Sequence, residues 1–142
     1  MAAHGRNELS HPHPAMTRRA FMLAMAWFHM AFGAFFLFFQ SFASRIIFSE
    51  PGPNAPMMMV GLSGIVFAFG LINYLARDSA ESRAMRAVLI GTAFYLVFTV
   101  VFDSYWTIQG LLNPIAWVSI GIRSVMAGCY GYFLLKDRPA GS

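Results

Sequence analysis

Long runs of apolar residues, separated by short polar connections, dominate the pattern along this chain. Four of these runs reach about twenty residues, the length that an α-helix needs to cross about 30 Å of hydrocarbon. We predict membrane spans at about residues 20–42, 57–76, 84–106 and 111–135. The pattern therefore predicts an all-α fold, an integral membrane antiparallel four-helix bundle.

Short segments outside these runs complete the predicted organisation. Residues 18–136 are predicted to form the four-helix transmembrane domain, and residues 137–142 a short cytoplasmic tail. Residues 1–17 contain several His and Pro residues and almost nothing that a core can bury. We therefore predict a flexible cytoplasmic arm at the N-terminus.

The composition agrees with a membrane protein and excludes most soluble classes. Hydrophobic residues make up 58% of the 142 residues and charged residues only 11%, against about 25% charged in soluble domains. A soluble fold of this length has too little interior to hide so much apolar surface. We therefore expect the lipid bilayer to surround this protein.

Basic residues are concentrated on one side of the predicted membrane. The eight that share a side are Arg6, Arg18, Arg19, Arg77, Arg83, Arg86, Lys136 and Arg138. Arg45 is alone on the opposite side, and Arg123 lies inside a span. Because short cytoplasmic loops carry the excess of Lys and Arg, we predict a multi-pass protein of the cell inner (plasma) membrane with both termini in the cytoplasm. This topology explains the net charge of +4, so we expect no nucleic acid partner.

The sequence contains no recognisable catalytic or metal-binding set. It lacks a phosphate-binding loop, a helical pair of His ligands and a nucleophile with a supporting base. The single cysteine, Cys129, lies in an apolar segment and fits a small core residue. We predict no catalytic residues, no metal site and no cofactor, and we expect that the protein is not an enzyme.

Ionisable residues inside the spans form the candidate site. A central Arg or Asp costs a transmembrane helix about 2.5 to 3.5 kcal/mol, so it indicates a functional role by default. Arg123 lies near the middle of the fourth run, and its side chain leans toward the helix N-terminus, where Asp103 of the third run lies. Tyr95, Thr99 and Asp103 follow one another at helical spacing. Two interpretations stay open: a structural polar network, and a binding site for a small anion, a lipid headgroup or a quinone-like molecule.

His29 of the first run is predicted to lie near the depth of Arg123. Its helix face includes Ala26, Gly33 and Phe36, which admits close approach by a neighbouring helix or by a flat macrocycle bound through the imidazole. The simpler interpretation is a neutral His that hydrogen-bonds Tyr95 or a backbone carbonyl. The alternative is a ligand to haem or (bacterio)chlorophyll.

Small residues at intervals of four indicate where helices touch in a membrane, because helix association there depends on close backbone approach. Gly64 and Ala68 form such a pair in the second run, and Ser124 and Gly128 form one in the fourth. We predict that these two faces pack against neighbouring helices.

The predicted layout covers about residues 20–135. It consists of four short helices, a Pro-rich first outer loop, a Gly-rich second span and Arg123 in the fourth span. This layout resembles the DoxX-like group of small bacterial membrane proteins and related four-helix families. The resemblance concerns layout alone, so no functional residue is carried over. It implies an antiparallel four-helix bundle, in some members associated with redox complexes.

Three functions follow as hypotheses. The first is a non-enzymatic accessory or scaffold subunit that packs against other membrane proteins or against further copies of itself. The second is a small-ligand binding or transport protein that uses the Arg123 and Asp103 network. The third is a haem- or pigment-bearing subunit with His29 as the ligand.

Overall fold

The computed structural model describes residues 17–80 and 82–136, and every regular element in these ranges is a helix. The helices are α1 (Arg18–Phe38), α2 (Gln40–Ile47), α3 (Ala55–Ala76), α4 (Arg83–Ile108) and α5 (Ala116–Lys136). All except α2 are long and apolar enough to cross a membrane. The predicted fold class is therefore confirmed, and the chain is a multi-pass membrane protein.

Two of the predicted spans have different limits in the structure. The first was expected to run through residues 20–42, but α1 ends at Phe38 because Phe39 leaves helical geometry (φ −116°, ψ 33°) and α2 then begins at Gln40. The fourth was expected from residue 111, but α5 begins at Ala116. The residues before it form a turn that starts at Gly110, whose φ of +77° favours glycine.

The predicted arm and tail lie outside the described residues, with the exception of Thr17. This residue belongs to α1 as its N-cap, since its hydroxyl oxygen accepts a hydrogen bond from the Ala20 amide at 3.3 Å. Ser82 caps α4 in the same way, accepting from the Met85 amide at 3.1 Å.

The four long helices form two hairpins. In the first hairpin α1 packs on α3, with α2 against them, and in the second hairpin α4 packs on α5. We name the two ends of the bundle by their content. The basic end carries Arg18, Arg77, Arg83 and Lys136, and the loop end carries residues 48–54 and 109–115.

Residues of both hairpins share one apolar core at the basic end. Its fully buried members are Phe21, Met22, Met85, Leu89, Leu96, Met126, Tyr130 and Phe133. The Phe21 ring of α1 lies 4.8 Å from the Tyr130 ring and 5.0 Å from the Phe133 ring, both on α5. This core holds the first hairpin against the second.

A second, smaller core lies at the loop end and belongs to the first hairpin and α2 alone. Its buried members are Phe36, Ala43, Met59 and Val66, with Ile47 and Phe48 packed against them. The hairpins are linked at this end by backbone hydrogen bonds between loops: Ser49 N donates to Leu111 O at 3.1 Å, and Asn113 N to Ile47 O at 2.8 Å.

Glycines bring α1 and α3 into close contact. A Cβ added at Gly70 would lie 2.7 Å from Met30 Cγ and 3.0 Å from the Ala26 carbonyl oxygen, and one added at Gly33 would lie 3.0 Å from the Phe67 ring. The close approach predicted for the His29 face is thus made by a neighbouring helix. The contact faces predicted at Gly64 and Gly128 are wrong for the described chain: a Cβ at either would meet open space within 4 Å.

Candidate functional site

Arg123 and Asp103 form an ion pair between the two helices of the second hairpin. Arg123 Nη2 bonds Asp103 Oδ2. The same guanidinium is held by its own helix, because Nη2 donates to Ser119 Oγ at 3.1 Å and Nε to the Ser119 carbonyl oxygen at 3.4 Å. The geometry agrees with the direction in which a helical side chain leans, toward its own N-terminus.

Both partners lie on the bundle-facing sides of their helices. Asp103 is one turn from Thr107 and two turns from Leu96, both buried, and Arg123 is two turns from the buried Tyr130. Yet about a fifth of each side chain is exposed: 21% for Arg123 and 22% for Asp103. The bundle therefore does not close over this pair.

The ion pair leaves two polar atoms without a partner among the described residues. Arg123 uses Nη2 and Nε, so both protons of Nη1 are unused, and Asp103 uses Oδ2, so Oδ1 is unused. Neither atom is buried, since no buried side-chain nitrogen or oxygen of the described residues lacks a partner. The site thus offers a hydrogen-bond donor beside an acceptor.

Tyr95 links this pair to the first hairpin. Its ring stacks on Phe69 of α3 with the centroids 4.3 Å apart, and on α4 it lies about two helical turns before Asp103. Thr99 is different, because its hydroxyl donates to the Leu96 carbonyl oxygen of its own helix at 2.9 Å. Tyr95 therefore contacts the first hairpin, whereas the Thr99 hydroxyl bonds its own helix backbone.

His29 of α1 also lies near Phe69 and is buried, with 4% of its surface exposed. Its ring lies 6.4 Å from the Phe69 ring, and its Nδ1 lies 2.7 Å from the Met25 carbonyl oxygen. A carbonyl only accepts, so Nδ1 carries a proton in this hydrogen bond. Among the partners considered from the sequence, the structure thus shows a backbone carbonyl.

Another polar contact, which joins the two hairpins, was missed by the sequence reasoning. Tyr130 OH donates to Asn73 Oδ1 at 2.7 Å, and Asn73 Nδ2 donates to the Phe69 carbonyl oxygen at 2.8 Å. Both residues are completely buried. The available signal was a single amide inside an otherwise apolar span, since polar side chains in such spans commonly bond across helices.

Metal ligands are not gathered in the part of the chain that the structure describes. No three His, Cys, Asp or Glu side chains within residues 17–80 and 82–136 lie close enough together to hold an ion. Cys129 is half-buried and has a free thiol. Comparison of the chain with protein-family models, with curated proteins and with solved structures finds no match.

Proposed function

We propose that this protein is a non-enzymatic accessory or scaffold subunit of a larger membrane complex. The observation that carries the proposal is the internal pairing of polar groups. Arg123 is neutralised by Asp103, Tyr130 bonds Asn73, and no buried side-chain polar atom of the described residues is unpartnered. Such pairing stabilises a helix bundle in lipid.

Exposed aromatic side chains at the α1–α2 junction are the surface that would meet the partner. Phe38, Phe39 and Phe42 are 75%, 59% and 58% exposed. Large aromatic side chains are common anchors of protein interfaces. We propose that these three phenyl groups, here called the junction patch, pack against another membrane protein.

The experiment is purification of the tagged chain from its native membrane in a mild detergent, followed by mass spectrometry of the proteins that stay bound. The proposal expects a membrane protein at fixed stoichiometry, lost when Phe38, Phe39 and Phe42 are all changed to Ala. The matched control replaces three exposed phenylalanines of α4, Phe94, Phe98 and Phe102, with Ala. A chain that purifies alone, or a partner that survives the junction variant and is lost in the control, contradicts this proposal.

We further propose that the basic end faces the cytoplasm of a bacterial inner membrane. The support is the excess of Arg and Lys at that end, where Arg19 and Arg77 both pair with Asp78 at 2.8 and 3.1 Å. In a Cys129→Ala background, Gly52→Cys should react with an impermeant thiol reagent added outside. Ala80→Cys should not, and the reverse labelling overturns the orientation.

A second candidate function is binding or transport of a small ligand at the Arg123 and Asp103 pair. The observation that favours it is the exposure of a charged pair on the inner faces of α4 and α5. The double variant Arg123→Leu/Asp103→Leu separates the two functions. A scaffold keeps its partner in this variant, whereas a binding protein loses its ligand.

The third hypothesis, a haem or chlorophyll ligated by His29, has the least support. The imidazole ring lies 5.8 Å from the Phe28 ring and 6.4 Å from the Phe69 ring, and His29 is only 4% exposed. A macrocycle would have to displace neighbouring side chains to reach it. Visible absorption that disappears in His29→Ala would establish the hypothesis, and a colourless protein contradicts it.

A further inference from the structure

The face of α1 that contacts the second hairpin becomes more exposed toward the loop end. On α1, Phe21, Phe28 and Phe32 lie on one face, at spacings of seven and four residues. Phe21 contacts α5 and is 2% exposed, Phe28 is half-buried, and Phe32 is 39% exposed. The face of α1 that packs on the second hairpin at the basic end is thus uncovered near the loop end.

The Arg123 and Asp103 pair of the second hairpin is partly exposed as well. Both residues point into the bundle, as their spacing from buried neighbours requires, and neither is fully covered. Asp103 lies five residues before the end of α4 and Arg123 seven residues after the start of α5. By helical rise these positions are about 7.5 and 10 Å below the loop end. The pair therefore lines a recess one to two turns below that surface.

The unused atoms of the pair define what the recess can hold. Arg123 Nη1 can donate a hydrogen bond to an anionic or carbonyl oxygen, and Asp103 Oδ1 can accept one from an N–H or O–H group. The pair as a whole carries no net charge, so a simple anion gains from Arg123 and is repelled by Asp103. A ligand that carries both charges, an oxyanion and an ammonium on a short spacer, complements both atoms at once.

We propose that the recess binds a phosphoethanolamine-type zwitterion, with its phosphate at Arg123 Nη1 and its ammonium at Asp103 Oδ1. This inference specifies the ligand of the second candidate function and rests on it. It is independent of the accessory-subunit proposal. A choline headgroup is a poorer fit, because its quaternary nitrogen has no N–H to donate to Oδ1. A phosphoglycerol headgroup lacks the ammonium and adds net negative charge beside Asp103.

The ion pair at the basic end is a natural control. Asp78 bonds Arg19 through Oδ1 and Arg77 through Oδ2, so both of its carboxylate oxygens are occupied. It has no unused oxygen for an ammonium group. Removing this pair should leave headgroup preference unchanged.

The experiment is native mass spectrometry of the purified full chain with lipids of identical acyl chains. The headgroups are phosphoethanolamine, its mono- and dimethylated forms, phosphocholine and phosphoglycerol. The proposal expects phosphoethanolamine to bind about tenfold more tightly than phosphocholine, because phosphocholine cannot make the hydrogen bond to the charged Asp103. Affinity should fall along the methylation series. Measurements on the wild-type chain alone can overturn the proposal: they do so if all headgroups bind with equal affinity, or if phosphoglycerol binds more tightly.

Variants and a soluble ligand complete the test. Arg123→Leu/Asp103→Leu should abolish the headgroup preference, and Arg19→Ala/Asp78→Ala should keep it; a preference that survives the first variant overturns the proposal. Glycerophosphoethanolamine, which has no acyl chains, distinguishes the source. Competition by it indicates a ligand taken from the aqueous side, and binding of the diacyl form alone indicates a membrane lipid. Because no partner protein is present in these measurements, their failure is separate from failure of the accessory-subunit proposal.

Discussion

The polar side-chain contacts Asn73–Tyr130 and Arg123–Asp103, each between two membrane-spanning helices, differ in charge and in burial. The Asn73–Tyr130 contact near the basic end joins the two hairpins, is neutral, and is completely buried. The Arg123–Asp103 contact near the loop end joins α4 to α5, is charged, and is about one fifth exposed. Removing a charge from water costs several times more than removing a neutral group, and burial of an ion pair is repaid only when all its remaining protons and lone pairs are satisfied. A neutral pair can therefore be sealed inside a bundle, whereas this ion pair retains access to its surroundings.

The largest effect should come from breaking the charged contact on one side only. Arg123→Leu leaves Asp103 as an unpaired carboxylate inside a span, and we expect the free energy of unfolding to fall by about 3 to 5 kcal/mol. Adding Asp103→Leu should recover most of this loss, because the carboxylate is removed as well. Equilibrium unfolding of the two single variants and the double variant in detergent measures the coupling. Two independent, additive losses would contradict an interaction between the residues.

The next largest effect is expected from adding a methyl group at a glycine that contacts a neighbouring helix, compared with a glycine that has open space beside it. Gly70→Ala places a Cβ against backbone atoms of Ala26 and Met30 at 3.0 Å, and overpacking of this kind costs about 1 to 3 kcal/mol. Gly64→Ala is the matched control on the same helix, where a Cβ has open space. Thermal unfolding should show a lowered Tm for the Gly70 variant and an unchanged Tm for the Gly64 control. Equal shifts would mean that α1 and α3 do not approach at Gly70.

A smaller effect is expected at the neutral contact. Tyr130→Phe removes the hydroxyl that bonds Asn73, and hydrogen bonds of this kind between transmembrane helices average about 0.6 kcal/mol and reach about 1.7. A double-mutant cycle of Tyr130→Phe with Asn73→Leu gives the coupling energy. A coupling larger than that of Arg123 with Asp103 would reverse the comparison between the two contacts.

The smallest effect should come from the ion pair at the membrane surface. The side chains of Arg19 and Asp78 are 70% and 50% exposed, and exposed pairs contribute about 0.2 to 1 kcal/mol. Arg19→Ala should therefore change the unfolding free energy by no more than this amount, and the change should shrink further in 0.5 M salt, a concentration of the order at which surface charges are largely screened. A loss comparable with that of Arg123→Leu would show that exposure does not set the strength of ion pairs here.

How far the sequence predicts this molecule depends on whether local pattern or tertiary contact decides each feature. The spans follow from apolar run length, and the proximity of Arg123 to Asp103 follows from helical rise and the lean of a long side chain. The break in the helix at Phe39 does not follow from the sequence pattern, because the apolar pattern continues into α2. Its cause is tertiary: α2 places Ala43 in the loop-end core, together with Phe36 and Met59 of the neighbouring helices.

The helix contacts show the same limit. Gly33 and Gly70 mediate close approach, and Gly64 and Gly128 do not, although all four are glycines in apolar helices. Spacing identifies faces that allow contact, and the angle between whole helices selects which face is used. The Asn73–Tyr130 bond also depends on this angle, since its partners are 57 residues apart in the chain.

The hydrogen bonds between the two loops have a consequence for how the protein is made. Ile47 O accepts from Asn113 N, and Leu111 O accepts from Ser49 N. The residues that each bond joins are separated along the chain by two transmembrane helices, α3 and α4. During synthesis the first hairpin enters the bilayer before residues 111 to 113 have left the ribosome. The loop end can therefore be fastened only after the second hairpin has been translated and inserted, which makes this link a late step of biogenesis and a sensitive reporter of complete insertion.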